Sequence, residues 1–314
     1  MKKKNHHKES MEAEMKMIKR VGFDLLKGAI AAAAAFAGMV VGGISTTMLR
    51  LPTPGMPPQV DMNTLMPRLF LTQIVIAIVL GECFQGLYQR YWQRLLSIWL
   101  CNYLLYYLLN ALDALLFSPL PHMSTGIVSN IFPALFMAAV IAVLWRPGTV
   151  DSPNNGKVRA YFTARKPIDW AWRLALAWLV FPPIYYLMGR AVAPFVQHYY
   201  EDPSLNLGLT MPPSVEVLMA MQVLRGALFL VAVLPIIVPW RGSQRGLWLW
   251  VGTVIFIQIA GQGILQAYWL PAGLRIPHSL ELLADSFLQA GLYTLLLCFP
   301  SKQVENQQGS RRNI

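Results

Sequence analysis

Apolar residues run along this chain in long blocks separated by short polar or proline-rich breaks, with no strand-like alternation. The blocks fall at about residues 28–49, 69–88, 95–117, 124–145, 169–195, 217–240, 246–270 and 279–299. Each is long enough to cross a hydrocarbon core of about 30 Å as a helix. Open strands are excluded there, because an unpaired sheet edge in lipid leaves backbone N–H and C=O groups unsatisfied. The pattern predicts an all-α integral membrane protein with eight transmembrane helices and the lipid bilayer as its surroundings. Within the first block, Gly38 and Gly42 form a GxxxG pair suited to close helix packing. Pro182-Pro183 predicts a kink or break in the fifth helix, and Pro133 and Pro235 predict bends in the fourth and sixth.

The chain also repeats itself. Met56-Pro57-Pro58 before Val60-Asp61 returns as Met211-Pro212-Pro213 before Val215-Glu216. Gln89-Arg90 before Trp92 returns as Gln244-Arg245 before Trp248, and Pro121-His122 returns as Pro277-His278. The offset is 155 or 156 residues each time. This predicts two four-helix repeats, 28–146 and 169–300, with a basic arm 1–27, a linker 147–168 and a tail 301–314. An even number of helices turns both units the same way up, so the repeats are parallel, about an axis along the membrane normal.

Charge changes the picture in one respect. Only 13% of residues are charged and 55% are hydrophobic, against about 25% charged in soluble domains. The net charge of +11 suggests a nucleic-acid partner until its placement is considered. All but five of the 26 Lys and Arg fall on one side of the predicted helices, the exceptions being Arg50, Arg68, Arg190, Arg225 and Arg275. That bias is a topology signal, and it places both termini in the cytoplasm of a plasma-membrane protein with no nucleic-acid partner. Met11, Met15, Ile18 and Leu25 recur at helical spacing in the basic arm. They suit either a segment lying on an anionic membrane surface or a tail that sets topology. Cys83, Cys101 and Cys298 lie inside apolar runs without CxxC spacing and are expected as small buried residues.

Candidate chemistry is found where polar side chains interrupt the apolar runs, because such groups are costly in lipid and tend to face the protein interior. Asn102, Tyr106, Asn110 and Asp113 line one face of the third helix, and Gln258, Gln262 and Gln266 occupy the related positions of the seventh. These stripes predict that the two helices meet near the pseudo-twofold axis. Ahead of and along the eighth helix come Arg275, His278, Glu281, Asp285 and Gln289. The related positions of the fourth helix hold only Thr125 and Ser129, so the acids belong to one half alone. Arg275 or Arg225 is expected to pair with Glu281 or Asp285. Glu82 is expected either to carry a proton or to reach Arg90 or Arg94.

The leading functional expectation is a transporter or permease for a small solute. Its site would lie between the halves toward the outer side, lined by Asn110, Asp113, Gln262, Gln266, Arg275, Glu281 and Asp285. An alternative is a membrane-embedded enzyme or a protein handling a transition metal or haem. Its outer-face ligands would be His122 and His278, with His198, Glu201, Asp202 and outer methionines such as Met48, Met56 and Met123 nearby. No cofactor is otherwise predicted, and no HExxH, GxSxG, Walker loop or dinucleotide fingerprint occurs. A third reading is a scaffold or sensor whose polar groups only join helices. Two parallel four-helix units resemble haem A synthase in layout. That family holds haem with paired histidines inside its helices, whereas no histidine here lies deep in a run. Nothing in the chain marks an oligomeric state or a particular solute.

Overall fold

The computed structural model describes residues 2–57, 59–88, 90–146, 158, 161–210 and 214–298, with side chains described from residue 14 onward. Among the described residues 81% are helical and none lies in a strand, and eight helices there are long and apolar enough to cross a membrane. They are α1 (Lys2–Met48), α2 (Met62–Phe84), α3 (Tyr91–Phe117), α4 (Thr125–Leu144), α5 (Pro167–Glu201), α6 (Val215–Ile237), α7 (Gln244–Gln266) and α8 (Ala272–Leu297). The arm 1–27 continues into the first apolar run as one helix. The tail 301–314, most of the linker 147–168, and Pro58, Gln89 and Met211-Pro212-Pro213 of the repeated motifs lie outside the described residues.

Local chemistry extends several helices past their apolar runs. The Asp61 carboxylate accepts hydrogen bonds from the Asn63 and Thr64 amides, so α2 starts at Met62 instead of near residue 69. Ser214 caps α6 and Ser243 caps α7 in the same manner. The helix α8 starts at Ala272, which places Arg275 and His278 inside it. Pro182-Pro183 acts as predicted: α5 divides into Pro167–Leu179 and Phe181–Glu201, the prolines opening the second segment where their missing N–H is harmless. In α4 the helix is interrupted at Asn130, three residues before Pro133, while α6 runs unbroken through Pro235.

The first four helices pack as α1 on α2 and α4, with α3 on α4; the last four pack as α5 on α6 and α8, with α7 on α8. Across the middle, α2 packs on α7 and α3 on α6, and α3 also touches α7. Gly38 and Gly42 explain the tight α1–α4 seam. A Cβ on Gly38 would lie 2.6 Å from Pro133 Cα, and one on Gly42 would strike the Ser129 carbonyl oxygen. Fully buried Phe84, Leu105, Met137, Phe229, Ile236 and Tyr293 belong to one apolar core that includes residues from both sets. All three cysteines are buried.

At the helix ends on the basic side, orphan carbonyls are satisfied by cations. The Arg94 guanidinium donates to the Ala142 and Tyr88 carbonyls, and Arg173 donates to that of Leu296 at 2.8 Å. These contacts also complement the negative ends of the α4 and α8 dipoles.

Candidate functional site

The acids of α8 form the centre of the site. His278 lies one helical turn before Glu281, and its Nδ1 is 2.7 Å from Glu281 Oε2. Asp285 comes one turn later on the same face. Glu281 and Asp285 are only 7% and 3% exposed, and Asp285 Oδ1 has no hydrogen-bond partner among the described residues. From α5, Gly189 passes directly against Glu281: a Cβ there would sit 3.4 Å from Oε1.

A cation reaches this cluster from α6. Arg225 Nη1 donates to Asp113 Oδ1 of α3 at 2.7 Å, with the arginine side chain 4% exposed and the aspartate 36%. The expected pairing of Arg225 or Arg275 with the α8 acids is therefore corrected. Arg225 is taken by Asp113. Arg275, six residues before Glu281 on the same helix, makes no ion pair with either acid among the described residues. The Arg225 guanidinium also lies over the Phe181 and Tyr185 rings of α5, at 5.4 and 5.9 Å. Asp113 interacts electrostatically with His278 and Glu281 as well, and Asp285 with Glu281, Arg225 and His278. Tyr185 and Tyr200 lie in the field of Asp113 and Glu281. Four helices thus converge on three carboxylates, one guanidinium and one imidazole.

The neutral stripes behave differently. Tyr106 and Gln266 meet across α3 and α7, with Nε2 donating to the phenol oxygen at 2.6 Å. Both helices carry a π-helical turn at this level, Tyr103–Leu108 in α3 and Gln262–Gln266 in α7. A π turn widens the helix by a residue and rotates the side chains beyond it. An even four-residue stripe does not survive in α7: Gln258 and Gln266 are buried, whereas Gln262 is exposed. Asn110 turns back to bond the Tyr106 carbonyl of its own helix. The seven expected site residues accordingly separate into a charged cluster (Asp113, Glu281, Asp285), a neutral contact (Gln266, with Asn110 beside Tyr106), and Gln262 and Arg275 outside both. Gln73 and Gln258 are buried near this seam, and the Gln258 amide has no hydrogen-bond partner among the described residues.

Among the described residues no group of three His, Cys, Asp or Glu side chains stands close enough to hold a metal ion. His122 occupies a left-handed turn (φ 59°) and is exposed, while His278 is engaged by Glu281. His198, Glu201 and Asp202 are exposed at the end of α5. Asp202 is held below the ordinary carboxylate range by the Ser204 hydroxyl and amide. Glu82 meets neither Arg90 nor Arg94: it accepts from Arg20 of α1 at 2.9 Å and from the Trp145 indole at 3.1 Å. Arg94 is already committed to backbone carbonyls, and α1 extends far enough to bring Arg20 alongside.

Sequence reasoning missed the contribution of α5. Phe181, Tyr185 and Gly189 recur at four-residue spacing, two rings and a gap on one helical face, and that spacing was the available signal. Comparison with protein-family models, with characterised proteins and with solved structures finds no match to this chain.

Proposed function

We propose that the chain is a multi-pass plasma-membrane protein of two parallel four-helix repeats, with both termini cytoplasmic, that moves a small polar solute through the charged cluster between them. Two observations support the repeat. The same set of pairings joins α1–α4 and α5–α8, and both α3 and α7 carry a π turn, offset by two to four residues in the register of the repeat. The one-sided distribution of Lys and Arg supports the orientation.

The observation that carries the transport reading is Asp285, a buried carboxylate with an unpartnered oxygen beside an ion pair that joins α3 to α6. An ionisable group inside a hydrophobic helix costs roughly 2.5–3.5 kcal/mol on insertion scales. Arg225 and His278 act on Asp285 only through their fields, and Oδ1 accepts no hydrogen bond from the described residues, so its use lies in what it binds. Arg225 neutralises Asp113, and His278 attends to Glu281. The remaining carboxylate favours a solute that brings a positive charge or strong hydrogen-bond donors.

The test uses purified wild type and Asp285→Asn, screened by thermal shift against small amines, amino acids and carboxylates. Any compound that shifts the wild type is then assayed for uptake into proteoliposomes. The substitution should abolish the shift and the uptake while leaving folded yield and unliganded Tm intact. Uptake at the wild-type rate in Asp285→Asn would remove the residue from the site and leave the cluster a helix-joining role.

A further inference from the structure

A cavity of about 410 Å³ opens between the end of α1 and the start of α4, lined in part by Thr46, Thr47, Thr53, Thr125, Ser129 and Asn130. It occupies the place in the first four helices that the acidic cluster occupies in the last four. Thr125 and Ser129 stand 156 residues before Glu281 and Asp285, and α4 packs on α1 as α8 packs on α5. From this cavity we infer a second binding site, distinct from the charged cluster, that takes the uncharged polyhydroxyl portion of a sugar, either free or as a lipid headgroup.

Three features specify that chemistry. None of the lining residues carries a charge, so an ammonium or phosphate would be desolvated there without a counter-ion. The Thr46 and Thr47 hydroxyls both donate to the Gly43 carbonyl at 2.9 Å, and the Ser129 hydroxyl points to that of Gly126 at 3.4 Å. Their protons are spent, and their oxygens remain as acceptors for a donor-rich ligand. The Asn130 amide can both donate and accept. The volume lies in the range of small-molecule pockets, roughly 300–1,000 Å³. Access is from the side of Gly43, Thr47 and Thr53, all exposed, and a Cβ on Gly43 would meet no atom within 4 Å.

The experiment measures thermal melting of detergent-purified protein titrated with glucose, and of protein in nanodiscs with or without a monoglucosyl diacylglycerol. One or both probes should raise Tm by several degrees. A rise with glucose identifies a free sugar as sufficient, and a rise only with the glycolipid identifies a headgroup. Gly43→Leu, which fills the open side without touching the core, should abolish the rise, and Thr125→Val should weaken binding about tenfold. Asp285→Asn should leave the rise unchanged, whatever its own effect on solute uptake. The site is overturned if neither probe shifts Tm, if Gly43→Leu leaves the shift untouched, or if Asp285→Asn removes it.

Discussion

The N-terminal ends of α4 and α8 make an instructive pair. The helix α4 begins just after a Pro-His dipeptide and α8 carries one in its second turn, and both pack against the first helix of their own set. At α4 the side chains facing that helix are Thr125 and Ser129, and Gly38 and Gly42 draw α1 in until its backbone meets Ser129 and Pro133. At α8 the same positions are Glu281 and Asp285, and the facing helix α5 brings rings and a glycine instead. One end gains close packing and an uncharged cavity. The other concentrates charge and draws a cation from α6 and a carboxylate from α3. A shared backbone arrangement therefore constrains where a site can form, while a few side chains decide whether it is charged.

The comparison is broken most severely at Arg225. Arg225→Leu should cost about 3 kcal/mol, because it strips the buried cation from Asp113 amid two further carboxylates. The double variant with Asp113→Leu should recover most of that loss, which denaturant melts of the three proteins would measure. The next effect sharpens the contrast in packing. Gly42→Leu should lose about 2 kcal/mol or more, since its side chain must displace the Ser129 backbone. At the related position of α5, Gln197→Leu should stay within about 0.5 kcal/mol because that residue is exposed. Equal losses at the two sites would show that α1 and α5 are held alike.

The smallest effect concerns the cap of α2. Asp61 is held below its ordinary range first by the Thr64 hydroxyl and then by the Asn63 amide. A depressed carboxylate stabilises the fold above its unfolded pKa, and that contribution fades as pH falls through the folded value. Asp61→Ala should therefore lower Tm slightly at neutral pH, and the difference from wild type should close in acid. Asp61→Asn should keep most of the stability and lose the pH dependence, because an amide oxygen still caps the helix.

The helices themselves were readable from the chain, since long apolar runs leave the backbone few alternatives. Their ends were less so. Caps such as Asp61 and Ser214 add polar turns that an apolar window does not count. The acids of α8 stood out because three polar residues on one face of an apolar run have no place in lipid. The partner of Asp113 did not stand out, because pairing Arg225 with α3 depends on which faces of two distant helices meet. Gln262 shows the converse: its spacing placed it on the buried stripe, yet it opens the π turn of α7 and is exposed.

By itself the sequence determined the eight long helices, the break at Pro182-Pro183, the GxxxG seam and the shared face of His278, Glu281 and Asp285. Each results from spacing along one segment and from the cost of exposing backbone or charge to an apolar medium. Only the tertiary structure decided that Arg225 serves Asp113, that Glu82 meets Arg20 and Trp145, that α5 closes one side of the charged cluster, and that an uncharged cavity lies between α1 and α4. These depend on the rotation and depth of helices far apart in the chain, where a shift of one residue, about 100° around a helix, exchanges one neighbour for another.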